Sequence, residues 1–497
     1  MVADKIRTLI TQQMDELHVP GMAVVVVTAD GPVFAEGFGR ADDSDRAVTP
    51  QTPFRIASVS KQLTGIAVRQ LIEDGRLELE AAVTDYLPWF DDDVPALGKV
   101  TVRHLLSHTA GLTGDLDVED LVNTSTDDDA LERHVRDLAR QDPAYALGEF
   151  NYNNANFNVL ALLVATASEM TFEDYLQENV LTPLQMSHTH LTDAAARADG
   201  VAQGHYPFYG FVIPWELPFS RGSIGSASVV ASAEDLGHVL MAHLNQGRFG
   251  DTQVLSLDGM ADIETPLVNP APWDGYGWGW FSIPLYEAGA IRDVDGDPVY
   301  QAPVMLEHGG SFANFAAGML VMPEAGYGVV ALMNLNDELI SSRYHQTHLG
   351  IAHILAGREA PALATYEDAL SQNGKLIAAG VPLLQLAGVV FATWRFRRWR
   401  RQRPDTSSTR WRLGNLVLPL VPDIGVPVYF WWLLLTIDHT FDLGRTFTFS
   451  PDLGLTLVVM TALGFGWGIV RTILTLRLMR TSGPTETAQG SDLATST

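Results

Sequence analysis

The chain has 497 residues, enough for two or three domains, and its formal net charge is −27. It contains no cysteine, which excludes disulfides, thiolate metal sites and cysteine nucleophiles. The charge is uneven, because residues 376–497 hold 12 arginines against 7 acidic residues, a net of +5, and residues 1–375 therefore hold a net of −32. Residues 1–375 are acidic enough to repel the phosphate backbone of nucleic acids, so we do not expect a nucleic acid partner.

The first residues predict a surface helix. Apolar side chains recur at helical spacing from Ile6 to Leu17, with charged and polar residues between them. This pattern is typical of an amphipathic helix and not of the apolar core of a signal peptide. The helix is expected to end near Pro20-Gly21.

The elements that follow run from strands to helices and back to strands. In chain order we predict a hairpin of Met22–Ala29 and Val33–Gly39, a buried helix Ser58–Ile72 closed by Asp74-Gly75, a mostly helical stretch from about 85 to 300, strands Met305–Ser311, Ala316–Met322 and Gly328–Asn334, and a helix Tyr344–Leu355. Strands at both ends of a mainly helical sequence suit one antiparallel sheet flanked by helices. We therefore predict an α+β domain, an α/β sandwich, over residues 1–357.

After a linker at residues 358–375, the composition becomes strongly apolar. The runs Leu376–Trp394 and Leu453–Val470 carry no charge, and Leu413–Ile437 carries only Asp423. Each is long enough to cross a bilayer core of ~30 Å. We predict a transmembrane region at 376–480, with helices at about 376–394, 413–437 and 453–476, and a polar tail at 481–497.

Charge predicts how these helices are oriented in the cell membrane. Arg395–Arg412 holds eight arginines and one aspartate, whereas Asp438–Asp452 holds three aspartates and one arginine. By the positive-inside rule the arginine-rich loop is cytoplasmic, which places the 1–357 domain outside the cell. The opening of the chain, which does not resemble a signal peptide, leaves a cytoplasmic domain as the alternative.

Ser58-Val59-Ser60-Lys61 is a candidate catalytic motif at the start of the predicted buried helix. A serine hydroxyl is a weak nucleophile that needs a base in contact with it. Residues i and i+3 share a helix face, so the Lys61 amine can reach the Ser58 hydroxyl. Lysine is a base only when neutral, which requires burial or a nearby positive potential to lower its pKa. The chain has only four lysines, and this is its one S-x-x-K pattern.

Further motifs follow in chain order. They are Leu105-Leu106-Ser107-His108-Thr109-Ala110-Gly111-Leu112, Tyr152-Asn153-Asn154 and His308-Gly309-Gly310. Together with the segment from Phe54 to Lys61, they resemble the motifs of class C β-lactamases and low-molecular-weight penicillin-binding proteins, a group of serine hydrolases. The resemblance covers roughly residues 5–357 and does not include the membrane tail.

The resemblance implies three catalytic residues. Ser58 is implied to attack a carbonyl group and form an acyl-enzyme. Lys61 and Tyr152 are implied to carry the proton between serine, leaving group and water. Neither a cofactor nor a metal is implied.

It also implies a substrate-binding set. Asn154 is expected to bind a substrate amide and to orient the lysine. His308-Gly309-Gly310 is expected on an edge strand beside the serine, where glycine lets a substrate backbone approach closely. The backbone N–H groups of Ser58 and Ser311 are expected to form the oxyanion hole.

The implied substrates are small-molecule or peptide amides and esters. His308 departs from the Lys-Thr-Gly common in β-lactamases, and a largely neutral histidine holds a substrate carboxylate less well than an ammonium. In relatives, H-x-G accompanies esterases and D-amino-acid peptidases, so β-lactamase, D-Ala carboxypeptidase, D-aminopeptidase and esterase activities all stay open. The alternatives to a hydrolase are a membrane-bound acylation sensor and a non-catalytic ligand-binding module of the same fold.

Overall fold

The computed structural model describes residues 2–113, 125–271, 274–285, 304–337, 340–361, 369–402, 408–437 and 443–481. The chain divides into two compact units, residues 1–368 and residues 369–497. Each unit is described by itself.

The first unit combines short helices with one large sheet and three small strand pairs. Its helices are α1 Val2–Leu17, α2 Ser60–Glu73, α3 Val102–Leu106, α4 Ala130–Leu138, α5 Asn154–Ser168, α6 Phe172–Leu176, α7 Asp193–Ala198, α8 Ala233–Leu244, α9 Leu257–Ile263, α10 Ser341–Tyr344 and α11 Gln346–Leu355. Its strands are β1 Gly21–Thr28, β2 Gly31–Gly39, β3 Pro53–Arg55, β4 His205–Phe208, β5 Phe211–Pro214, β6 Val230–Ser232, β7 Arg248–Phe249, β8 Thr252–Gln253, β9 Val268–Ala271, β10 Asp274–Gly277, β11 Trp280–Pro284, β12 Val304–Phe312, β13 Phe315–Met322 and β14 Tyr327–Met333.

The large sheet is antiparallel and has the strand order β2-β1-β14-β13-β12-β11-β10-β9. Its centre joins the two ends of the unit, because β1 pairs with β14 in a register that places Met22 opposite Met333. The prediction of an α+β fold whose antiparallel sheet is built from both ends of the domain is confirmed.

Helices cover both faces of the sheet. On one face, Ile6 and Ile10 of α1 and Ile351 of α11 belong to one buried cluster with Val24 and Val26 of β1. Val25 and Val27 alternate with those valines and face α8, which approaches through its small Gly237. Full burial of each such aliphatic side chain contributes roughly 1.5–3 kcal/mol to the stability of the fold. Because the valines of β1 face the two sides of the sheet alternately, they hold α1 and α11 on one face and α8 on the other.

The sequence prediction missed the strands from β3 to β11, of which β9, β10 and β11 belong to the large sheet. Residues 85–300 were expected to be mostly helical, yet β9, β10 and β11 extend the sheet between Val268 and Pro284. These strands have only four or five residues each, and Pro270, Gly275, Gly277 and Pro284 interrupt them, so no run of alternating residues marks them. They join the sheet through β11, which pairs with β12 and places Phe281 opposite Glu307.

The second unit is helical. Its elements are α12 Ala369–Gln402, α13 Thr409–Arg412, π-helical turns Leu413–Val417 and Val421–Gly425, α14 Val426–Ile437, α15 Leu443–Phe449 and α16 Pro451–Thr481. Within this unit, three stretches are long and apolar enough to cross a membrane, at Ala378–Trp399, Thr409–Thr436 and Pro451–Arg480. The first helix begins at Ala369, inside the segment expected to be a linker.

The middle stretch is broken, as its prolines require. Pro419, Pro422 and Pro427 each lack a backbone N–H, and each ring clashes with the preceding turn of a regular helix. The chain passes this region through the two π-helical turns before it resumes as α14. Such a break leaves backbone carbonyls that need other partners inside the bundle.

Candidate active site

Ser58 lies on a strained turn between β3 and α2. The turn Ala57–Val59 is one 3-10 turn, and Ala57 has a φ of 47°, a left-handed conformation that is costly for a residue with a Cβ. The Ser60 hydroxyl holds the turn, because it donates to the Ala57 carbonyl at 2.7 Å and accepts from the Val229 N–H at 3.2 Å. The strain is thereby fixed in place, and the half-buried Ser58 is presented at the start of α2.

Lys61 is fully buried, and its amine contacts three oxygen atoms. Lys61 Nζ lies 2.9 Å from Ser58 Oγ, 2.6 Å from Asn154 Oδ1 and 3.0 Å from the Ser226 carbonyl oxygen. The amide and carbonyl oxygens can only accept hydrogen bonds, so they fix two N–H groups of the amine. In a neutral lysine the third direction is a lone pair aimed at the Ser58 hydroxyl. The geometry is therefore that of a base in contact with a nucleophile.

Tyr152 and His308 contact each other across the site. The Tyr152 hydroxyl lies 3.4 Å from His308 Nε2, and His308 Nδ1 lies 2.6 Å from the Gly309 carbonyl oxygen. Burial first, and then the nearby Lys61, lower the pKa of His308 to about 4, so its ring is neutral at pH 7. Because the Gly309 carbonyl requires a donor, the ring proton is assigned to Nδ1, and Nε2 accepts from Tyr152.

The buried ring of His108 packs against the ring of Tyr152. Burial lowers the pKa of His108 well below its usual value, and the Asn153 N–H donates to its Nδ1 at 3.2 Å. The proton of this neutral ring is therefore assigned to Nε2, which lies 3.0 Å from the Tyr276 hydroxyl. The His108 ring centroid is 4.5 Å from that of Tyr152, so the ring packs against the tyrosine and limits its rotamers.

Gly310 of β12 lies directly against the nucleophile turn. A Cβ at residue 310 would collide with the carbonyl oxygen of Ile56, two residues before Ser58. The expectation of an edge strand is correct only locally, because β12 is an interior strand that pairs with β11 over residues 304–307 and with β13 over residues 306–312. Its second half, which holds the motif, has no β11 partner among the described residues. The end of β11 therefore leaves that side of the motif open.

The side chains of His345 and Asn336 form hydrogen bonds with the last peptide groups of β12. His345 Nε2 lies 3.1 Å from the Gly310 carbonyl oxygen, which can only accept, so His345 is the donor. The C=O and N–H of a trans peptide point in opposite directions, so the N–H of Ser311 points away from His345. Asn336 Nδ2 donates to Ser311 Oγ and to the Phe312 carbonyl, both at 2.6 Å. These hydrogen bonds fix the orientation of the peptide group whose N–H is the expected oxyanion donor, that of Ser311.

The structure brings the predicted site residues together in two groups. Ser58, Lys61 and Asn154 are joined by hydrogen bonds, and Tyr152 contacts His308 beside the glycines. The sequence prediction missed the Ser226 carbonyl and the His345 side chain. A carbonyl has no residue-type signal, and His345 is separated from its partner by 35 residues, so only the tertiary structure identifies them.

A sequence model described as Beta-lactamase matches residues 6–350, more than half of the chain. This chain belongs to the Beta-lactamase family. The predicted family is therefore confirmed, and it is one of serine hydrolases. The second unit lies outside the matched residues.

Two curated relatives match this Beta-lactamase family member over most of their own length. Protein flp of Staphylococcus aureus (strain MW2) is 27% identical over 400 residues, which cover 79% of this chain and 74% of that protein. The Beta-lactamase of Yersinia enterocolitica is 26% identical over 361 residues, which cover 67% of this chain and 87% of that protein.

Two solved structures share the fold. The octameric penicillin-binding protein homologue from Pyrococcus abyssi matches with a TM-score of 0.62 and 23% identity, covering 74% of this chain and 80% of that chain. The D-alanine carboxypeptidase AmpC from Burkholderia cenocepacia matches with a TM-score of 0.57 and 24% identity, covering 72% of this chain and 98% of that chain. At these identities the likeness establishes the fold alone.

Replacing Gly310 with alanine is expected to reduce Ser58 labelling in this Beta-lactamase domain by at least about tenfold. The added methyl group has no space against the Ile56 carbonyl, so β12 or the nucleophile turn must move by tenths of an ångström or more. Labelling rate with a fluorophosphonate is the measurement. Gly222→Ala is the matched control, because a Cβ there meets its neighbours at an ordinary 3.4 Å. Normal labelling in the Gly310 variant would contradict the close packing.

The Beta-lactamase domain is expected to lose stability as the pH falls from about 6.5 to 4. Burial lowers the pKa of His308 and of His134 to about 4, against ~6.5 in an unfolded chain. In that window the unfolded state binds protons that the folded state does not, so each histidine removes roughly 1.4 kcal/mol of unfolding free energy per pH unit. Stability is fully present above this window and lost as the pH falls through it.

His134 allows this prediction to be tested away from the candidate active site. Urea unfolding of the full chain in detergent, followed at several pH values, gives the slope of unfolding free energy against pH. His134→Gln is expected to flatten that slope by about one proton. Equal slopes in the wild-type and His134→Gln proteins would contradict a neutral, buried His134.

Proposed function

We propose that the chain is a serine hydrolase that forms an acyl-enzyme on Ser58. One observation carries the proposal: the buried Lys61 amine lies 2.9 Å from Ser58 Oγ while two acceptor oxygens hold its other directions. This arrangement places the amine where it can receive the serine proton.

The proposed acylation step follows from this contact. The Ser58 oxygen attacks the substrate carbonyl carbon as its proton passes to Lys61 Nζ. The oxyanion that forms is stabilised by the N–H groups of Ser58 and Ser311. The bond to the leaving group then breaks, and the leaving amine or alcohol takes a proton from Lys61 by way of the Tyr152 hydroxyl. The products are an ester of Ser58 and the free leaving group.

The proposed deacylation step uses the same groups in reverse. A water molecule attacks the ester carbon as one of its protons passes to the Tyr152 oxygen and the Tyr152 hydroxyl passes its own proton to Lys61 Nζ. Lys61 then gives that proton to the Ser58 oxygen as the ester bond breaks, which releases the acid and restores the neutral amine. His308 Nε2 accepts from the Tyr152 hydroxyl, which fixes the direction of that hydroxyl between turnovers. Tyr152 is the most exposed of these side chains, at 37%, so water and leaving groups can reach it.

The proposed substrates are esters and D-amino-acid amides in preference to penicillins. At pH 7 the His308 ring is neutral and its one N–H is taken by the Gly309 carbonyl, so it offers no charge or donor to a substrate carboxylate. Penicillins carry such a carboxylate next to the scissile ring.

Turnover tests the hydrolase proposal against the alternative of an acylation sensor. One portion of the purified full chain is labelled with a fluorophosphonate, and a separate unlabelled portion is incubated with an activated ester, a D-alanine amide and a chromogenic cephalosporin. Repeated turnover of the ester or the amide supports a hydrolase. One equivalent of stable acylation followed by no release would identify a sensor, and absence of acylation would identify a binding module.

We also propose that the second unit anchors the domain in the cell membrane, with the domain outside the cell. The support is the three long apolar stretches and the eight arginines of Arg395–Arg412, which mark a cytoplasmic loop. A fluorophosphonate that cannot cross membranes is expected to label Ser58 in intact cells. Labelling only after lysis would place the domain in the cytoplasm, and release of the chain by alkaline carbonate would exclude membrane insertion.

A further inference from the structure

The second unit contains charged groups at the depth where lipid tails would surround an anchor. Arg471 Nη2 of α16 lies 2.8 Å from Asp423 Oδ2 at the break of the middle stretch, with side chains only 8% and 10% exposed. A charge in the hydrocarbon core costs several kcal/mol unless it is paired, so such residues mark functional positions rather than simple anchors. A tail that only anchored the domain would need no ion pair there.

The break is held by close packing inside the unit. Gln385 of α12 donates through Nε2 to the Pro422 carbonyl at 3.4 Å, a carbonyl at the proline-rich break. A Cβ on Gly464 of α16 would collide with the Asp423 carbonyl, and one on Gly468 would lie 3.5 Å from the Asp423 Cβ. The two glycines therefore let α16 approach the break. Specific contacts within the second unit therefore hold the irregular segment, which is not a frayed helix end.

A cavity of about 390 Å³ lies beside this break. Its apolar wall follows α12, and Gly388 contributes no side chain, since an added Cβ there would meet nothing within 4 Å. The wall runs from Val381 to Arg395, which corresponds to about 21 Å of helix at 1.5 Å per residue. That exceeds the ~15 Å depth of one leaflet of hydrocarbon. The cavity is thus long enough to hold one acyl chain.

The charge of the cavity favours an anion at one end. Its charged lining residues are Arg395, Arg471 and Asp423, and the last two form an ion pair. In the part of the chain that the structure describes, no carboxylate lies within ion-pair distance of Arg395, whose guanidinium lies 4.3 Å from the Trp399 ring. Arg395 lies in the last turns of its stretch, Ala378–Trp399, at the depth of lipid headgroups.

We propose that this cavity is a binding site for one phospholipid with an anionic headgroup. The phosphate pairs with Arg395 at the arginine-rich end of α12, and one acyl chain lies along the wall past Gly388 towards Val381. A soluble anion lacks the tail that fills the apolar wall, and a zwitterionic lipid lacks the net negative charge that complements Arg395. The site rests on the proposed membrane insertion and is independent of the proposed hydrolase chemistry.

Lipid retention tests the proposal with matched variants. The full chain is reconstituted in phosphatidylcholine nanodiscs that contain one part in ten of phosphatidylglycerol, and then released into mild detergent. Native mass spectrometry counts the lipids that remain bound. The wild-type chain is expected to retain one phosphatidylglycerol. Arg395→Gln is expected to weaken retention about fivefold, the effect of one arginine near a headgroup. Arg398→Gln, with the same charge change one turn away and outside the cavity, is expected to weaken it less than twofold.

A second pair of variants tests the cavity and leaves its charge unchanged. Gly388→Phe places a ring in the space of the acyl chain and is expected to abolish retention. Gly380→Phe is the control, because an added Cβ there also meets nothing within 4 Å but the residue does not line the cavity. Equal losses in Arg395→Gln and Arg398→Gln, or retention in Gly388→Phe, would show only general attraction to anionic lipid and would overturn the site.

One preliminary measurement separates failure of this inference from failure of the proposed anchor. The wild-type chain is tested first for resistance to alkaline carbonate in its membrane fraction. If it resists extraction but retains no phosphatidylglycerol, the site is overturned and the anchor stands. If it is extracted, the membrane insertion is wrong and the lipid site falls with it. Ser58 labelling is measured in parallel and does not depend on either result.

Discussion

Ser58→Ala is expected to abolish covalent labelling by a fluorophosphonate and to lower hydrolysis by about 10⁴-fold or more, the scale of removing a nucleophile that acts together with its base. The variant removes the side-chain oxygen of one half-buried residue just before α2 and leaves the strained Ala57 turn and its Ser60 hydrogen bonds intact. The loss is therefore expected in the rate of acylation and not in the amount of folded protein. Labelling and thermal unfolding on the same sample separate the two.

Ser60→Ala is the matched control for the nucleophile. Ser60 belongs to the same four-residue motif, but its hydroxyl donates to the Ala57 carbonyl and is fully buried. Its removal is expected to cost roughly 1–3 kcal/mol of stability, because the Val229 N–H loses its acceptor. Ser58 keeps its nucleophilic oxygen in this variant, so covalent labelling is expected to persist, at a reduced rate because the turn loses a hydrogen bond. If the Ser58 variant were still labelled and the Ser60 variant were not, the assignment of the nucleophile would be wrong.

Lys61→Met is expected to lower the acylation rate by at least about 10²-fold, the usual contribution of a group that transfers a proton. Methionine has nearly the same length and keeps the buried volume, so the variant removes the amine and little else. Ser58 Oγ then has no base in contact, while the Asn154 amide and the Ser226 carbonyl lose their donor. The rate of fluorophosphonate labelling under pseudo-first-order conditions is the measurement.

Two further lysine variants distinguish a base from a buried cation. Lys61→Arg keeps a positive charge that cannot be deprotonated, so it is expected to be as slow as Lys61→Met. Lys99→Met changes an exposed lysine and is expected to acylate at the normal rate. Rapid acylation in Lys61→Arg would mean that the positive charge, and not proton transfer, is what the site requires.

Local patterns in the sequence determine the elements at the two ends of the first unit. The apolar run of Met22–Ala29, the apolar run after Ser58 and the spacing of Ile6 to Leu17 predict β1, α2 and α1 close to their observed bounds. The three membrane-length stretches are equally local, because hydropathy depends only on composition within a window. The S-x-x-K spacing predicts the contact between Ser58 and Lys61, since both residues belong to one helical turn.

Only the tertiary structure decides which distant groups complete the site. The Lys61 amine is held by Asn154 and by the Ser226 carbonyl, which lies 165 residues away in the sequence. His345 braces the peptide of Gly310, and the end of β11 opens one side of β12. The sequence by itself determined the reactive groups and their local spacing. Hydrogen-bond direction and burial, which set protonation and access, arise only when residues far apart in the chain pack together.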